Sequence, residues 1–436
     1  MAAGARLHNG AVVPRYLIAF FGALVALGPL SMDAYLPAIP LMAEDFGVGI
    51  VQVNNTLSVF LLGYALGQFF GGSFSDQIGR KRIGYVGLSV YITTTLAMVF
   101  VDTVDLMLVL RFFQAIGGGF STVICLASVR DIYPIEELGR RFATVTMIVL
   151  VAPLVAPVLG SLLLPFGWHS IFVLKTVYAV LLLVLYTFAV PETRDGTWAR
   201  FSVRSIFRQC AGVLTRRVEG RLLPLRYAIA MALSASVLMI FVTNAAFVYM
   251  DYFDVSASMF PFVFALSVLG FMSMNLFSMK RLTSRNAGTF FRNGLRIQIA
   301  GIAALLLVAA SGAAMLWTVV PLLVVTMSTL GLVGPAGSAR YMAFFSELAG
   351  SASSVYMTLM FALGGIFGAL VGVFYNGTLL PMIGVMAAAS VAANLIAVSI
   401  PMRSGRDEGG VGASGASGAS GASAARSRRS GFSRDS

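Results

Sequence analysis

Two charged residues stand inside long apolar stretches and are the side chains best placed to do chemistry. Asp33 lies in the segment from Leu30 to Pro40, and Arg111 lies three residues before Gln114. A charge at the centre of a membrane helix costs at least ~2.5–3.5 kcal/mol. A carboxylate at such a position can take a proton from one side and release it to the other, or pair with a cationic substrate. Arg111 can modulate Asp33 or hold an acceptor group, and we assign Gln114 to the same site.

Each of these charges also has a structural interpretation. Asp33 can cap or solvate the outer end of its helix, and Arg111 can snorkel to the outer headgroups. Lys175 lies at a similar depth in the sixth span, and we expect it to snorkel rather than to contact substrate. We expect Arg296 to be an interface anchor on the inner side.

Polar and aromatic residues in the apolar spans are the candidates for a substrate cavity. We assign this role, beside Gln114, to four residues: Tyr35, Gln68, Asn244 and Asn275. Each of them can equally be a satisfied interhelical hydrogen bond.

Two further segments have a distinctive pattern. From Gly72 to Arg82 the chain has one acid, Asp76, followed by three bases. This pattern predicts a tight turn on the inner side of the membrane, whose basic charge helps to set the orientation of the chain. Asp76 at a helix end is costly unless a base or a helix N-terminus lies nearby. In the fifth span, Pro153 and Pro157 each remove a helix hydrogen bond, which predicts a packing kink or, as the sharper hypothesis, a gate.

These residues must be positioned by membrane-spanning helices. Of the 436 residues, 58% are hydrophobic and only 11% are charged, whereas soluble proteins have about 25% charged residues. Because about 20 apolar residues cross a bilayer as a helix, the sequence predicts twelve spans: 15–36, 53–74, 83–101, 104–129, 142–164, 168–190, 227–250, 258–279, 293–312, 315–338, 352–375 and 378–401. We interpret the apolar run after Arg15 as the first span, uncleaved, rather than as a signal peptide.

The predicted fold is therefore an all-α integral membrane protein with two pseudo-symmetric six-helix bundles. The bundles occupy residues 15–190 and 227–402. They are joined by an arginine-rich cytoplasmic loop, 191–226, and flanked by a cytoplasmic N-terminus, 1–14, and a tail, 403–436. The tail contains Gly-Ala-Ser triplets that cannot form a core, so we predict that it is disordered.

The distribution of basic residues predicts the orientation. With the N-terminus inside, 27 of the 30 Lys and Arg residues fall in inner segments and none in outer loops. This asymmetry obeys the positive-inside rule and places both termini in the cytoplasm. The formal net charge of +12 therefore reflects membrane orientation and gives no evidence for nucleic-acid binding.

The sequence lacks the residues and motifs that several classes of function require. Cys125, Cys210, His8 and His169 are isolated, so the sequence predicts no disulfide scaffold and no metal site. It contains no GxxxxGK[ST] motif, so energy would come from an ion or substrate gradient and not from an intrinsic ATPase. A membrane enzyme is disfavoured because no catalytic constellation occurs in any span.

Together these motifs resemble the major facilitator superfamily, specifically the twelve-span drug:proton antiporters of the bicyclomycin/chloramphenicol-resistance (Bcr/CflA) subfamily. The likeness runs from Tyr16 to about Pro401. It is carried by the segment from Asp33 to Pro40, the loop from Gly72 to Arg82, the pair Arg111 and Gln114, the segment from Arg130 to Pro134, and the helix from Ala152 to Gly160. Gln77 stands where the family usually has arginine.

The resemblance implies roles for these residues. Asp33 would carry the proton or cation, with Arg111 as its modulator, and Pro153, Pro157 and Gly160 would form the antiporter-motif helix. A cytoplasmic charge cluster would stabilise one conformational state; its residues would be Gly72, Asp76, Gly79, Arg80, Arg130 and Asp131.

The sequence thus favours proton-coupled export of drugs or small amphipathic metabolites across the bacterial inner membrane by alternating access. The alternative is an uptake permease of the same fold for a metabolite such as a nucleoside. We expect the partners to be substrate, protons and lipid, with no cofactor beyond the proton gradient, and we expect a monomer.

Overall fold

The computed structural model describes residues 16–133, 135–189, 203–218, 220–283, 285–345 and 348–401. In this part of the chain the regular structure is helical, and no strand is present beyond an isolated bridge between Val218 and Arg221. The N-terminal segment and the tail predicted from the sequence lie outside the described residues.

The described residues of the first half form seven α-helices. Their bounds are α1 Leu17–Asp33, α2 Ile39–Asp45, α3 Ile50–Ile78, α4 Arg80–Ala97, α5 Val104–Ile132, α6 Ile135–Leu163 and α7 His169–Ala189. A single residue, Gly79, joins α3 to α4 with φ +112°, a conformation that glycine adopts without strain.

Eight more α-helices lie in the described parts of the connecting segment and the second half. Their bounds are α8 Val203–Leu214, α9 Leu223–Ala246, α10 Phe260–Arg281, α11 Ala287–Ala310, α12 Leu316–Ser328, α13 Leu330–Met342, α14 Ala349–Val373 and α15 Leu380–Val398. A π-helix, Phe247–Tyr252, extends α9.

Twelve helical segments of the described chain are long and apolar enough to cross a membrane, which confirms the predicted all-α, twelve-span architecture. Two spans are interrupted. The first runs from Leu17 to Asp45 but is broken after α1, and the tenth, Leu316–Met342, is divided at Thr329. The break after α1 precedes Pro37 and leaves Asp33 as the last residue of its helix.

Glycines bring the helices of the first half close together. A Cβ on Gly63 would overlap the carbonyl oxygen of Phe112, and one on Gly67 would lie 2.6 Å from that of Ile116. The glycines that follow Arg111 in α5 have the same function, since a Cβ on Gly117 would lie 2.5 Å from the carbonyl oxygen of Gly87. Small residues permit such close approach between membrane helices.

The two halves meet along α3 and α14, which run antiparallel; we call this contact the central seam. The seam consists of neighbouring residue pairs along the two helices: Asn55 with Gly372, Ser58 with Gly365, Leu61 with Gly364, Tyr64 with Phe361, and Gly72 with Ser354. Because the pairs begin near one end of α3 and finish near the other, the seam is closed at both ends.

The helix ends divide into two faces. We call the face with Arg80, Arg130, Arg140, Lys280 and Arg340 the basic end, and the face with Asp45, Asp102, Asp251 and Asp254 the acidic end. At the acidic end the halves also touch through Ser161, whose Oγ donates a 2.7 Å hydrogen bond to the carbonyl oxygen of Ala257.

Candidate functional site

Asp33 faces a cavity of about 180 Å³ between the two halves. The first half contributes Gly28, Pro29, Met32, Asp33, Tyr64 and Pro153, and the second half contributes Leu238, Met239, Phe241, Val242, Phe264, Ser267, Val268, Phe271 and Phe361. Asp33 is the charged residue of this lining, and its exposed fraction is 5%. The cavity thus combines an apolar, aromatic wall with one carboxylate.

No basic side chain of the described residues forms an ion pair with Asp33. The carboxylate is therefore aimed into the cavity without a permanent counter-ion. A buried carboxylate in this setting is stable when it holds a proton or when a cation occupies the cavity.

Arg111 is fully buried in α5 and does not snorkel. Its Nη1 donates to the carbonyl oxygen of Ser31 at 3.1 Å and to Oε1 of Gln114 at 2.8 Å. Its guanidinium carbon lies 3.7 Å from the centroid of the Tyr35 ring, a cation–π contact. Arg111 thus holds the backbone two residues before Asp33 and not the carboxylate itself.

Gln114 links Arg111 to the neighbouring helix α4. Its Nε2 donates to Oγ1 of Thr95 at 2.7 Å. On the other side, the hydroxyl groups of Ser31 and Tyr91 share a 2.5 Å hydrogen bond. This polar network joins the ends of α1, α4 and α5 and fixes the turn that carries Asp33.

The other predicted cavity residues are absent from the lining of this cavity. The Tyr35 hydroxyl bonds to Thr56 at 2.8 Å, and Asn244 donates to Ile240 within its own helix. Gln68 is buried in α3, and Asn275 is half-buried in α10, where its backbone faces Gly331. For Tyr35 the alternative of a satisfied interhelical hydrogen bond describes the geometry, whereas the bonds of Asn244 lie within α9.

The lining aromatics were missed because sequence reasoning searched for polar residues. Phe241, Phe264, Phe271 and Phe361 are ordinary apolar residues of apolar spans. Ligand pockets in proteins are lined mainly by hydrophobic and aromatic groups. The signal that could have found them is the aromatic content of α9, α10 and α14 near the depth of Asp33.

The antiporter-motif helix α6 packs directly against the turn that follows Asp33. A Cβ on Gly160 would overlap the carbonyl oxygen of Ala34, so only glycine fits there without a shift. Pro153 lines the cavity, and Pro157 lies inside the same helix. This helix therefore forms one wall of the site.

The structure brings three residues of the predicted charge cluster together at the basic end. Arg80 pairs with Asp76 at 2.6 Å and with Asp131 at 3.0 Å, and its Nη1 also donates to Ser75. Gly79, also a member of the predicted cluster, forms the turn between α3 and α4.

Two further members of the predicted cluster lie where the halves meet. A Cβ on Gly350, next to the start of α14, would lie 3.7 Å from the guanidinium of Arg130. Gly72 lies on the central seam opposite Ser354. The predicted cluster thus extends from the Arg80 ion pairs to the contact between the two halves.

The expectation that Lys175 snorkels is wrong. Its side chain is fully buried in α7, and its Nζ lies 4.0 Å from the centroid of the Phe172 ring. Neighbouring helices and the segment after α1 enclose it, so the amine cannot reach the membrane surface.

Comparisons with known proteins agree with this architecture. The Major Facilitator Superfamily profile matches residues 19–369. A bicyclomycin resistance protein homolog of Haemophilus influenzae is 29% identical over 390 residues, which cover 89% of this chain and 96% of that protein. The uncharacterized MFS-type transporter YdgK of Bacillus subtilis is 29% identical over 402 residues, with the same shares of both chains.

A third relative is named for its physiological effect. The multidrug resistance protein MdtL of Salmonella schwarzengrund is 30% identical over 295 residues, which cover 66% of this chain and 73% of that protein. The profile match spans most of the two six-helix halves, including Asp33 and the Arg80 cluster. This chain belongs to the major facilitator superfamily of membrane transporters.

Proposed function

We propose that this chain is a proton-coupled antiporter that exports drugs or small amphipathic metabolites across the bacterial inner membrane. The observation that carries the proposal is the position of Asp33, a carboxylate without a counter-ion that faces a cavity between two six-helix halves. The names of the relatives, which refer to bicyclomycin and multidrug resistance, support export rather than uptake.

The cavity chemistry couples substrate to protons by competition. Phe241, Phe264 and Phe361 offer apolar and aromatic surface to an amphipathic molecule. When the substrate or its cationic group occupies the cavity, Asp33 is ionised; when the substrate leaves, Asp33 takes a proton. Because the two occupants exclude each other, a proton gradient in one direction drives substrate in the other.

Arg111 adjusts this exchange from behind the helix end. Its hydrogen bond to the Ser31 carbonyl orients the last turn of α1. Arg111 and Gln114 therefore position the proton-carrying residue without contacting substrate in this conformation.

In the proposed orientation the basic end faces the cytoplasm, with both termini on that side. Two bundles of six helices complete the cavity within one chain, which is consistent with a monomer as the transporting unit. The Asp76–Arg80–Asp131 cluster holds helices of the first half together at the basic end, and we assign it the role of stabilising one state of the cycle.

The test uses purified protein in liposomes with a pH-sensitive dye inside and two probes, ethidium as a cation and chloramphenicol as a neutral drug. Addition of a transported probe should release protons from wild-type protein. Asp33→Asn should reduce this release more than tenfold. The matched control is Asp254→Asn, because Asp254 is an exposed acid at the acidic end, and asparagine tolerates its φ of +51°.

Wild-type exchange by Asp33→Asn across a pH range would refute the proton-carrier role. The direction of transport is measured in intact energised cells with the same probes. Accumulation of labelled probe inside the cells would support the uptake alternative.

A further inference from the structure

Lys175 is a buried basic group that the proposed mechanism does not use. It lies in the part of α7 nearest the acidic end, six residues after His169. Its side chain is fully buried, and its Nζ has no hydrogen-bond partner among the described residues. Its surroundings are aromatic, since Nζ lies 4.0 Å from the Phe172 ring centroid and 5.1 Å from that of Tyr35.

The same two rings also contact Arg111. The guanidinium carbon lies 3.7 Å from the Tyr35 centroid and 5.4 Å from the Phe172 centroid. Two basic side chains therefore share one pair of rings inside the protein. Cation–π contacts stabilise a buried cation only weakly, whereas burying an unpaired charge is strongly unfavourable.

No described carboxylate neutralises Lys175. Asp33, at the end of α1, lines the cavity, and Asp45 at the end of α2 accepts a 2.6 Å hydrogen bond from the Trp168 indole. From α4, the Tyr91 hydroxyl bonds to Ser31. The ionisable residues of α6 all lie in its first turns, at the basic end.

The ionisable residues on α7 itself are also engaged elsewhere. His169 stacks on Trp168, and the hydroxyl group of Tyr178 donates to the carbonyl oxygen of Ala23. The Tyr186 hydroxyl donates to the backbone of Arg80 at the far end of the helix. Arg111 and the Tyr35 phenol are thus the titratable groups that face Lys175.

Two neighbouring cations without an anion are unstable in an apolar interior, so one of them must give up its charge. Guanidinium groups stay protonated in proteins, whereas a lysine amine releases its proton when it is buried. We infer that Lys175 is a second proton-exchange residue of the transport cycle, distinct from Asp33, and the inference rests on the proposed function.

The cycle of this residue follows the contacts between the halves. In the present conformation the acidic end is closed, and Lys175 is a neutral amine. When that end opens, a hydronium ion of the entering water protonates the lone pair of Nζ, which gives an ammonium ion and a water molecule. When that end closes and the basic end opens, the ammonium transfers this proton to water that enters from the basic end, which restores the amine and forms a hydronium ion there, so one additional proton crosses per turnover.

The experiment measures the number of protons exchanged per ethidium or chloramphenicol molecule, from the gradients at which net transport stops in liposomes. Lys175→Met has a similar size and cannot bind a proton, whereas Lys175→Arg keeps a permanent charge. Lys280→Met is the control, because it removes the charge of an exposed lysine at the end of α10.

We expect Lys175→Met to exchange one proton fewer per drug molecule than wild type and Lys280→Met. Each coupled proton changes the limiting drug gradient about tenfold per pH unit. The limiting drug gradient of Lys175→Met should therefore be about tenfold smaller per pH unit than that of wild type. We expect the same decrease in Lys175→Arg, because its charge is permanent.

An unchanged proton count in Lys175→Met, or a wild-type count in Lys175→Arg, would overturn the inference. Lys175→Met replaces a buried amine by an apolar side chain, so folding should be retained and is checked by gel filtration. If the proposed function itself fails, wild-type protein exchanges no protons with either drug, which is a different result.

Discussion

Arg111 shows how a buried charge can act through the backbone. Its guanidinium donates one hydrogen bond to a carbonyl oxygen and one to Gln114, and it lies over the face of the Tyr35 ring. Its Nε and Nη2 have no hydrogen-bond partner within the described chain. Such an under-satisfied cation depends strongly on each bond that it does make. Gln114 is therefore expected to contribute more than a neutral hydrogen bond would.

The first prediction compares two buried glutamines. Gln114→Leu removes an acceptor from a charged donor, whereas Gln298→Leu in α11 removes neutral bonds to Ser234. Hydrogen bonds to charged groups contribute about 1.5–3 kcal/mol and neutral ones about 0.5–1.5 kcal/mol. The free energy of unfolding in mixed detergent micelles should fall further for Gln114→Leu, and an equal or smaller loss would contradict this interpretation of Arg111.

The second prediction concerns Arg80, which is bound to three side chains: Ser75, Asp76 and Asp131. A lysine has one nitrogen and cannot reproduce the planar fork that reaches all three. We expect Arg80→Lys to lower the free energy of unfolding by about 1–3 kcal/mol, measured in the same micelles. Arg281→Lys, the same change at an exposed arginine at the end of α10, is the control, and equal stabilities of the two variants would argue against a structural role for the Arg80 fork.

Sequence reasoning at this scale located the charges but not their partners. Asp33, Arg111 and the Arg80 cluster are identifiable because charges are rare in apolar spans. Which atom Arg111 would bind was not predictable, since a backbone carbonyl leaves no trace in residue types. Lys175 was misread for a related reason: snorkelling and enclosure have the same sequence pattern, and only the packing of α7 distinguishes them.

At the scale of helices, the contact between α6 and the end of α1 is the tightest constraint on the site. Gly160 is covered by the Ala34 carbonyl, one residue after Asp33. Any side chain at position 160 would push the turn that follows Asp33 away from α6. The glycine thus contributes to function through its missing Cβ.

The third prediction is a comparison of two glycine-to-alanine variants. Gly160→Ala should lower drug-coupled proton release at least tenfold, because a displaced Asp33 no longer faces the cavity. Gly384→Ala in α15 has open space around it, so it should leave transport unchanged and raise helix propensity slightly. Wild-type exchange by Gly160→Ala in the liposome assay would mean that α6 adjusts without moving Asp33.

The helix α8 illustrates what a span search overlooks. The sequence predicts an arginine-rich loop over 191–226, yet Val203–Leu214 is helical. Its apolar residues recur at helical spacing, and Cys210 and Val213 pack into the core of the second half. A twelve-residue amphipathic helix is too short to register in a twenty-residue hydropathy window, although its periodicity was available in the sequence.

At the scale of the whole molecule, α8 and the central seam connect the two halves. Phe207 of α8 contacts Phe69 of α3, with ring centroids 5.9 Å apart, and the Ser351 hydroxyl of α14 donates to Gln209. The twelve spans and their division were predictable from hydropathy. The pairing of α3 with α14 was not, because glycines at 364, 365, 368 and 372 have no unique partner in sequence.

The fourth prediction tests whether the seam opens during transport. In a Cys125→Ala, Cys210→Ala background, we expect disulfides between Gly72→Cys and Ser354→Cys at the basic end, and between Asn55→Cys and Gly372→Cys at the acidic end. A Cβ on Gly72 lies 3.8 Å from the Ser354 hydroxyl, and one on Gly372 lies 3.0 Å from the Asn55 side chain, close to disulfide geometry.

Each disulfide should lower the rate of drug transport more than tenfold, because alternating access requires each end of the seam to separate once per cycle. Reducing the disulfide should restore the rate. The four single-cysteine variants serve as controls. Transport at the wild-type rate by both oxidised pairs would show that the halves move without parting at α3 and α14.

The closed seam has a consequence for how the transporter evolves. Extra volume at position 372 penalises every state with a closed acidic end, because a Cβ there would lie 3.0 Å from the Asn55 side chain and 3.1 Å from that of Val51, both on α3. Since about 1.4 kcal/mol changes a population ratio tenfold, a single methyl group at this site can reset the resting bias between inward and outward access. Selection on drug efflux can therefore act on small side chains far from any drug, and variants with altered resistance should map to the rims of one helix pair as well as to the cavity.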